Sequence, residues 1–126
     1  MNLPADWEEQ MRRVNHEVNL LPYTSDAEKY GRAEFWASID EAGAGDCEDS
    51  AIAKYRRLIS MGWSENLLRF ATATVETGEY HAVLLADVEG ETWVLDNRHP
   101  YPMRYADLPY KWDRLQIAGT GKWEAA

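Results

Sequence analysis

The chain has one cysteine, Cys47, among its 126 residues. A lone thiol excludes an internal disulfide, and one thiolate does not make a structural zinc site. Basic residues are also scarce: 13 Lys and Arg stand against 22 Asp and Glu, a net charge of −9. That balance excludes the basic patches by which proteins hold nucleic acid or anionic membranes nonspecifically, and makes cations the natural partners of the surface. No apolar run approaches transmembrane length, so no membrane insertion is expected. The N-terminus, Met1-Asn2-Leu3-Pro4-Ala5-Asp6-Trp7, lacks the charged and apolar regions of a signal peptide, so the expectation is a cytoplasmic product or one whose signal was removed or never needed. Repeats, low-complexity tracts and interdomain linkers are missing too, so the length points to one domain over 1–126.

What is present is a periodicity that changes along the chain. Residues 6–20 read as a helix, with Trp7, Met11, Val14 and Val18 on one face and Asp6 as N-cap. Ser25 or Asp26 caps a short helical segment ending near Tyr30-Gly31, and Phe35-Trp36-Ala37 is an aromatic patch before a linker, Ala42-Gly43-Ala44-Gly45. The strongest helix covers 46–61, with Cys47, Ala51, Tyr55, Leu58 and Ile59 on one face, Lys54, Arg56 and Arg57 elsewhere, and Gly62 as the residue that ends it. From there the period falls to two. Residues 68–75, 80–88 and 92–95 read as strands joined by hairpins at Thr77-Gly78 and Glu89-Gly90, and 114–118 as a fourth. Helices followed by an antiparallel sheet give an α+β fold, with the central helix packed on the sheet and Cys47 where its N-terminus meets the strands.

A thiol in the first turn of a helix has its anionic form favoured by the helix dipole. It is either a reactive nucleophile or an ordinary buried small residue. A nucleophile needs a base and a group that orients the base. His81, at the start of the second strand, is the best base in the chain, and Asp96 ends the third. If residues summing to 177–179 face each other across the second hairpin, His81 and Asp96 fall at one end of the ladder with side chains on one face. His16, within the first helix, and His99, in a turn, read as structural or surface residues. The acids Asp46, Glu48 and Asp49 flank the thiol. They serve as plain helix capping or as a hard-cation site, because calcium takes several carboxylate oxygens and would offset their charge beside a thiolate.

The block Gly45-Asp46-Cys47-Glu48-Asp49, followed by Ala51-Ile52-Ala53-Lys54-Tyr55, resembles the bacterial transglutaminase-like cysteine peptidases, the family of LapG-type periplasmic proteases. The resemblance extends through Val14-Asn15, Tyr30-Gly31, Phe35-Trp36, Leu68-Arg69, the His81 strand and Val94-Leu95-Asp96-Asn97 to Gly121-Lys122-Trp123. Departures fall at Ser50, Ala82 and Arg98. The resemblance implies a papain-like, transglutaminase-like core in which Cys47 is the nucleophile, His81 the general base and acid, and Asp96 the orienting carboxylate. It further implies calcium beside the nucleophile on Asp46 and Glu48, with Asp49 an addition, no organic cofactor, and a protein or peptide substrate cleaved through a thioester. The Cys47 N–H is the expected first oxyanion donor and Ser38 a candidate for the second. Without an export signal, a cytoplasmic or phage-associated setting is expected. Alternatives are a transglutaminase or deamidase using the same acyl-enzyme, and a catalytically silent calcium- or protein-binding module of the same fold.

Overall fold

A computed structural model describes residues 3–20 and 45–126, the side chain of Asp46 excepted. The expected short helix before Tyr30, the Phe35-Trp36 patch and Ser38 lie outside the described residues. Two α-helices and a six-stranded antiparallel sheet make up the described part.

Helix α1 is Trp7–Asn19 and buries Met11, Val14, Asn15 and Val18. The inward stripe follows the helical period anticipated for it, with Trp7 packed at its rim. Asp6 precedes the helix but does not cap it through its side chain. Its carboxylate instead accepts a hydrogen bond from Gln10 at 3.1 Å, so the expected N-cap role is corrected. Helix α2 is Gly45–Ser60, taking in the glycine expected in the linker. It stops in a Schellman turn: the Trp63 N–H donates to Leu58 O at 3.1 Å and the Gly62 N–H to Ile59 O at 3.0 Å. Gly62 makes this possible with a φ of +99°.

The strands are β1 (Leu68–Thr74), β2 (Tyr80–Val88), β3 (Glu91–Leu95), β4 (Met103–Arg104), β5 (Lys111–Gln116) and β6 (Trp123–Ala125). Their order across the sheet is β4-β3-β2-β1-β5-β6. The expected fourth strand at 114–118 begins earlier, at Lys111. The short β4 and β6 were not foreseen, because two or three residues carry too little alternation to read as strands. A turn at Glu89-Gly90, with φ of 52° and 80°, joins β2 to β3, the left-handed pair a two-residue hairpin requires.

The β2–β3 register runs from Val88↔Glu91 to Leu84↔Leu95, a sum of 179 and inside the expected range. Cores form on both faces of the sheet. On one, Ala82, Leu84, Ala86, Val88 and Leu95 pack with α1 and α2; on the other, Ala71, Ala73, Val83, Leu85 and Val94 pack with Leu108 and Tyr110. The β2–β3 ladder stops at Leu84, so the first residues of β2 have no partner in β3. The N-terminus of α2 meets the sheet at this gap.

Candidate active site

Cys47 belongs to the first turn of α2, is 8% exposed and forms no disulfide. Its Sγ accepts a hydrogen bond from the Ala82 N–H at 3.2 Å. The backbone of β2 therefore holds the sulfur, and Ala82 needs no particular side chain to do so. His81 is the preceding residue and is buried. Side chains alternate along a strand, so His81 shares its face with Val83 and Leu85. The register extends to place Val83 opposite Asp96, which makes His81 and Asp96 diagonal neighbours on that face. Their contact is direct: His81 Nε2 and Asp96 Oδ1 are 2.5 Å apart. With Nε2 engaged by the carboxylate, Nδ1 is the ring nitrogen that remains for the thiol.

Burial by itself would lower the pKa of the His81 imidazole. The hydrogen bond to Asp96 and the nearby Cys47 sulfur outweigh it and push the imidazole up to about 9. Asp96, wholly buried, moves the other way. Burial works to raise its pKa, but the His81 bond and charge, the Tyr110 hydroxyl and the Arg98 N–H together hold it below its ordinary value. The pair is thus an imidazolium–carboxylate couple through the neutral range.

Asp96 is fixed by more than its histidine. The Tyr110 hydroxyl donates to Oδ2 in a short hydrogen bond, and the Arg98 N–H donates to Oδ1 at 2.9 Å. Burial and the Asp96 charge both raise the Tyr110 pKa, which keeps it a donor. Arg98 Nη1 reaches the Tyr110 oxygen at 3.0 Å and closes an ion pair with Glu76 at 2.5 Å. From the helical side, Asn19 Nδ2 donates to the carbonyls of Asp96 and His99, each at 3.0 Å, and Asn15 Nδ2 to that of His99 at 3.0 Å. Helix α1 therefore braces the turn that carries Asp96. The His99 ring lies 3.3 Å from the Tyr110 oxygen, in keeping with its reading as a turn residue, and His16 is exposed on α1.

The structure thus brings together Cys47, His81 and Asp96. Sequence reasoning missed Tyr110, Arg98, Asn19 and Lys54. Lys54 was expected off the inward face of α2, yet it is wholly buried and on the Cys47 side. Counting turns would have found it, since seven residues return a helix to nearly the same face; its charge argued it outward. Among the flanking acids, Glu48 is wholly buried and Asp49 is 2% exposed. Among the described residues, no three His, Cys, Asp or Glu side chains converge as a metal-holding group. The donor chemistry of Asp46, Glu48 and Asp49, carboxylate oxygens, is of the kind a hard cation takes.

Comparison with known proteins bears on the family and the fold. Residues 1–125 match the family described as bacterial transglutaminase-like cysteine proteinase, BTLCP. No curated protein sequence matches the chain. Among solved structures, Legionella pneumophila LapG is similar with a TM-score of 0.68 and 26% identity, over 94% of this chain and 68% of that one. Its calcium-bound form gives a TM-score of 0.65 at 27% identity, with 94% and 72% covered. The EGTA-treated form gives 0.63 at 26% identity, with 94% and 71% covered.

Proposed function

Since the chain belongs to the bacterial transglutaminase-like cysteine proteinases, we propose that it is a cysteine peptidase whose relay is Cys47, His81 and Asp96. The observation that carries this reading is the 2.5 Å contact between His81 and Asp96 beside the buried Cys47 in the first turn of a helix. In the resting pair His81 already holds the proton given up by Cys47, and the thiolate attacks a peptide carbonyl to form a tetrahedral intermediate. The Cys47 N–H, in the first turn of α2, donates to the oxyanion. Imidazolium then protonates the departing amine, leaving a thioester, and water attacks it with His81 again accepting the proton. Asp96 keeps the ring oriented and supports its positive charge.

Asp46 and Glu48, with Asp49 as an addition, are the proposed calcium ligands. A bound calcium would offset the acids around the thiol. The likeness to a LapG structure solved with calcium supports that assignment.

The first test uses a protein substrate in a coupled gel and mass-spectrometric assay. Cys47→Ala should abolish turnover while keeping its circular dichroism and melting curve. Activity retained in that variant would sink the nucleophile assignment. Product mass separates the alternatives, because hydrolysis splits a chain whereas transamidation joins two.

A further inference from the structure

Three connections meet at the end of the sheet that carries Asp96. They are the β1–β2 turn with Glu76, the residues after β3 with Arg98, and the approach to β5 with Tyr110. Arg98 grips Glu76 through Nη2 at 2.5 Å and Nη1 at 3.1 Å, and Nη1 also donates to the Tyr110 oxygen at 3.0 Å. Its guanidinium lies 5.4 Å from the centre of the Tyr110 ring. That ring stands edge-on to His81 at 6.2 Å and tilts against Trp112 at 5.6 Å, so aromatic packing fixes where the hydroxyl sits. The inventory of donors and acceptors fixes which way it points. Arginine only donates, and an ionised carboxylate only accepts. The Tyr110 oxygen must therefore accept from Arg98 and give its one hydrogen to Asp96 Oδ2. The His99 ring, 3.3 Å from the same oxygen, is left with a lone pair.

We propose that Tyr110 is a positioning residue of the relay, with Arg98 aiming its hydroxyl: together they hold Asp96 in the rotamer that presents Oδ1 to His81 Nε2. The two carboxylate oxygens have separate tasks. Oδ1 takes His81 and the Arg98 N–H, and Oδ2 takes the phenol. Without the phenol, Oδ2 is a wholly buried charged oxygen that lacks this donor, and the carboxylate rotates toward another. Rotation carries Oδ1 away from the imidazole, which loses the contact that orients it. Tyr110 touches neither substrate nor sulfur in this role. It remains a donor because burial and the Asp96 charge keep its proton in place. A purely electronic role would act in the opposite sense, since withdrawing a donor from a carboxylate that stays put makes it a stronger acceptor for His81.

This inference rests on the proposed relay but is read without peptidase activity. The measurement is the proton magnetic resonance spectrum of the full chain carrying isotope-labelled histidine. The His81 Nε2–H signal, assigned by its loss in His81→Ala, reports the bond to Asp96, and a stronger bond moves it downfield. Tyr110→Phe keeps the ring and its packing and removes only the donor. In that variant the signal should move upfield and exchange with water about tenfold faster, the worth of one hydrogen bond to a charged group. Arg98→Ala should shift it the same way by less, because the backbone N–H at that position still holds Oδ1. A merely structural tyrosine would lower Tm and leave the signal where it is. A signal that is unmoved or moved downfield in Tyr110→Phe overturns the proposal. Should that variant fail to fold, Arg98→Ala decides by the same criterion, and loss of the fold in both overturns the proposal too. The parent spectrum separates the two failures. If it holds no His81 Nε2–H signal bonded to a carboxylate, the relay itself has failed; if the signal is there and the variants leave it unmoved, only the positioning assignment has.

Discussion

Asp96 carries more constraints than any other residue of the site. Its two oxygens receive His81, the Arg98 N–H and the Tyr110 hydroxyl, while its carbonyl receives Asn19. A buried carboxylate with this many donors has no reason to take up a proton, so its negative charge is available to the imidazole at all but strongly acid pH. His81 correspondingly keeps its proton until the pH passes about 9. Imidazolium is the form that protonates the leaving amine, so kcat/KM should fall on the alkaline side with a midpoint near 9. Asp96→Asn removes the charge that raises His81 and should move that limb toward lower pH. An alkaline limb indifferent to Asp96→Asn would contradict the coupling. At this scale residue type and position at a helix start singled out Cys47, strand parity put His81 and Asp96 on one face, and the family resemblance joined the three. Tyr110 and Arg98 were illegible: Tyr110 reaches Asp96 across a chain stretch without a regular period, Arg98 bonds it through a backbone N–H two residues on while its guanidinium turns to Glu76 and Tyr110, and a phenol or guanidinium in a connection looks like any surface group. Lys54 misled for the opposite reason, its charge overruling a helical position that pointed inward.

The elements were more legible than their ends. Strand β2 falls where the two-residue alternation puts it, and both hairpin turns sit on the residues that mark them. Helix α2 closes at Gly62 because the Schellman turn needs a left-handed residue there. A Cβ at Gly62 would meet no atom within 4 Å, so the cost of replacing it is conformational rather than steric. Gly62→Ala should destabilise the protein by about 1 kcal/mol, a drop of about 4 °C in Tm, with turnover per folded molecule unchanged. A loss of turnover without a loss of stability would show that this turn acts on the site directly. The anticipated cap at Asp6 failed because Gln10 engages the carboxylate instead, a side-chain contact that capping propensity does not register. Strand β5 started early for a similar reason. Asp113 forms a bulge opposite Thr72 and Ala73, which breaks the alternation that would have marked the strand from Lys111.

For the whole molecule, the sheet is a two-sided platform whose gap beyond Leu84 accepts the tip of α2. The order of helices then strands foretold that layout; the gap itself follows from where β3 turns away, which local sequence does not encode. The proposed calcium site is tested on the whole molecule. With calcium bound on Asp46 and Glu48, EGTA should lower both peptidase activity and Tm, and excess calcium should restore them. The double variant Asp46→Asn, Glu48→Gln should respond to neither. Activity and Tm unaffected by EGTA in the parent would remove calcium from the account and leave the relay standing.

The most direct test of that relay is the rate at which Cys47 of the full chain is alkylated near neutral pH, compared between the parent and His81→Ala. Sulfur paired with an imidazolium should react readily in the parent and far more slowly in the variant. Equal rates in the two proteins would mean that the ring does not govern the thiol, and the peptidase reading would fall.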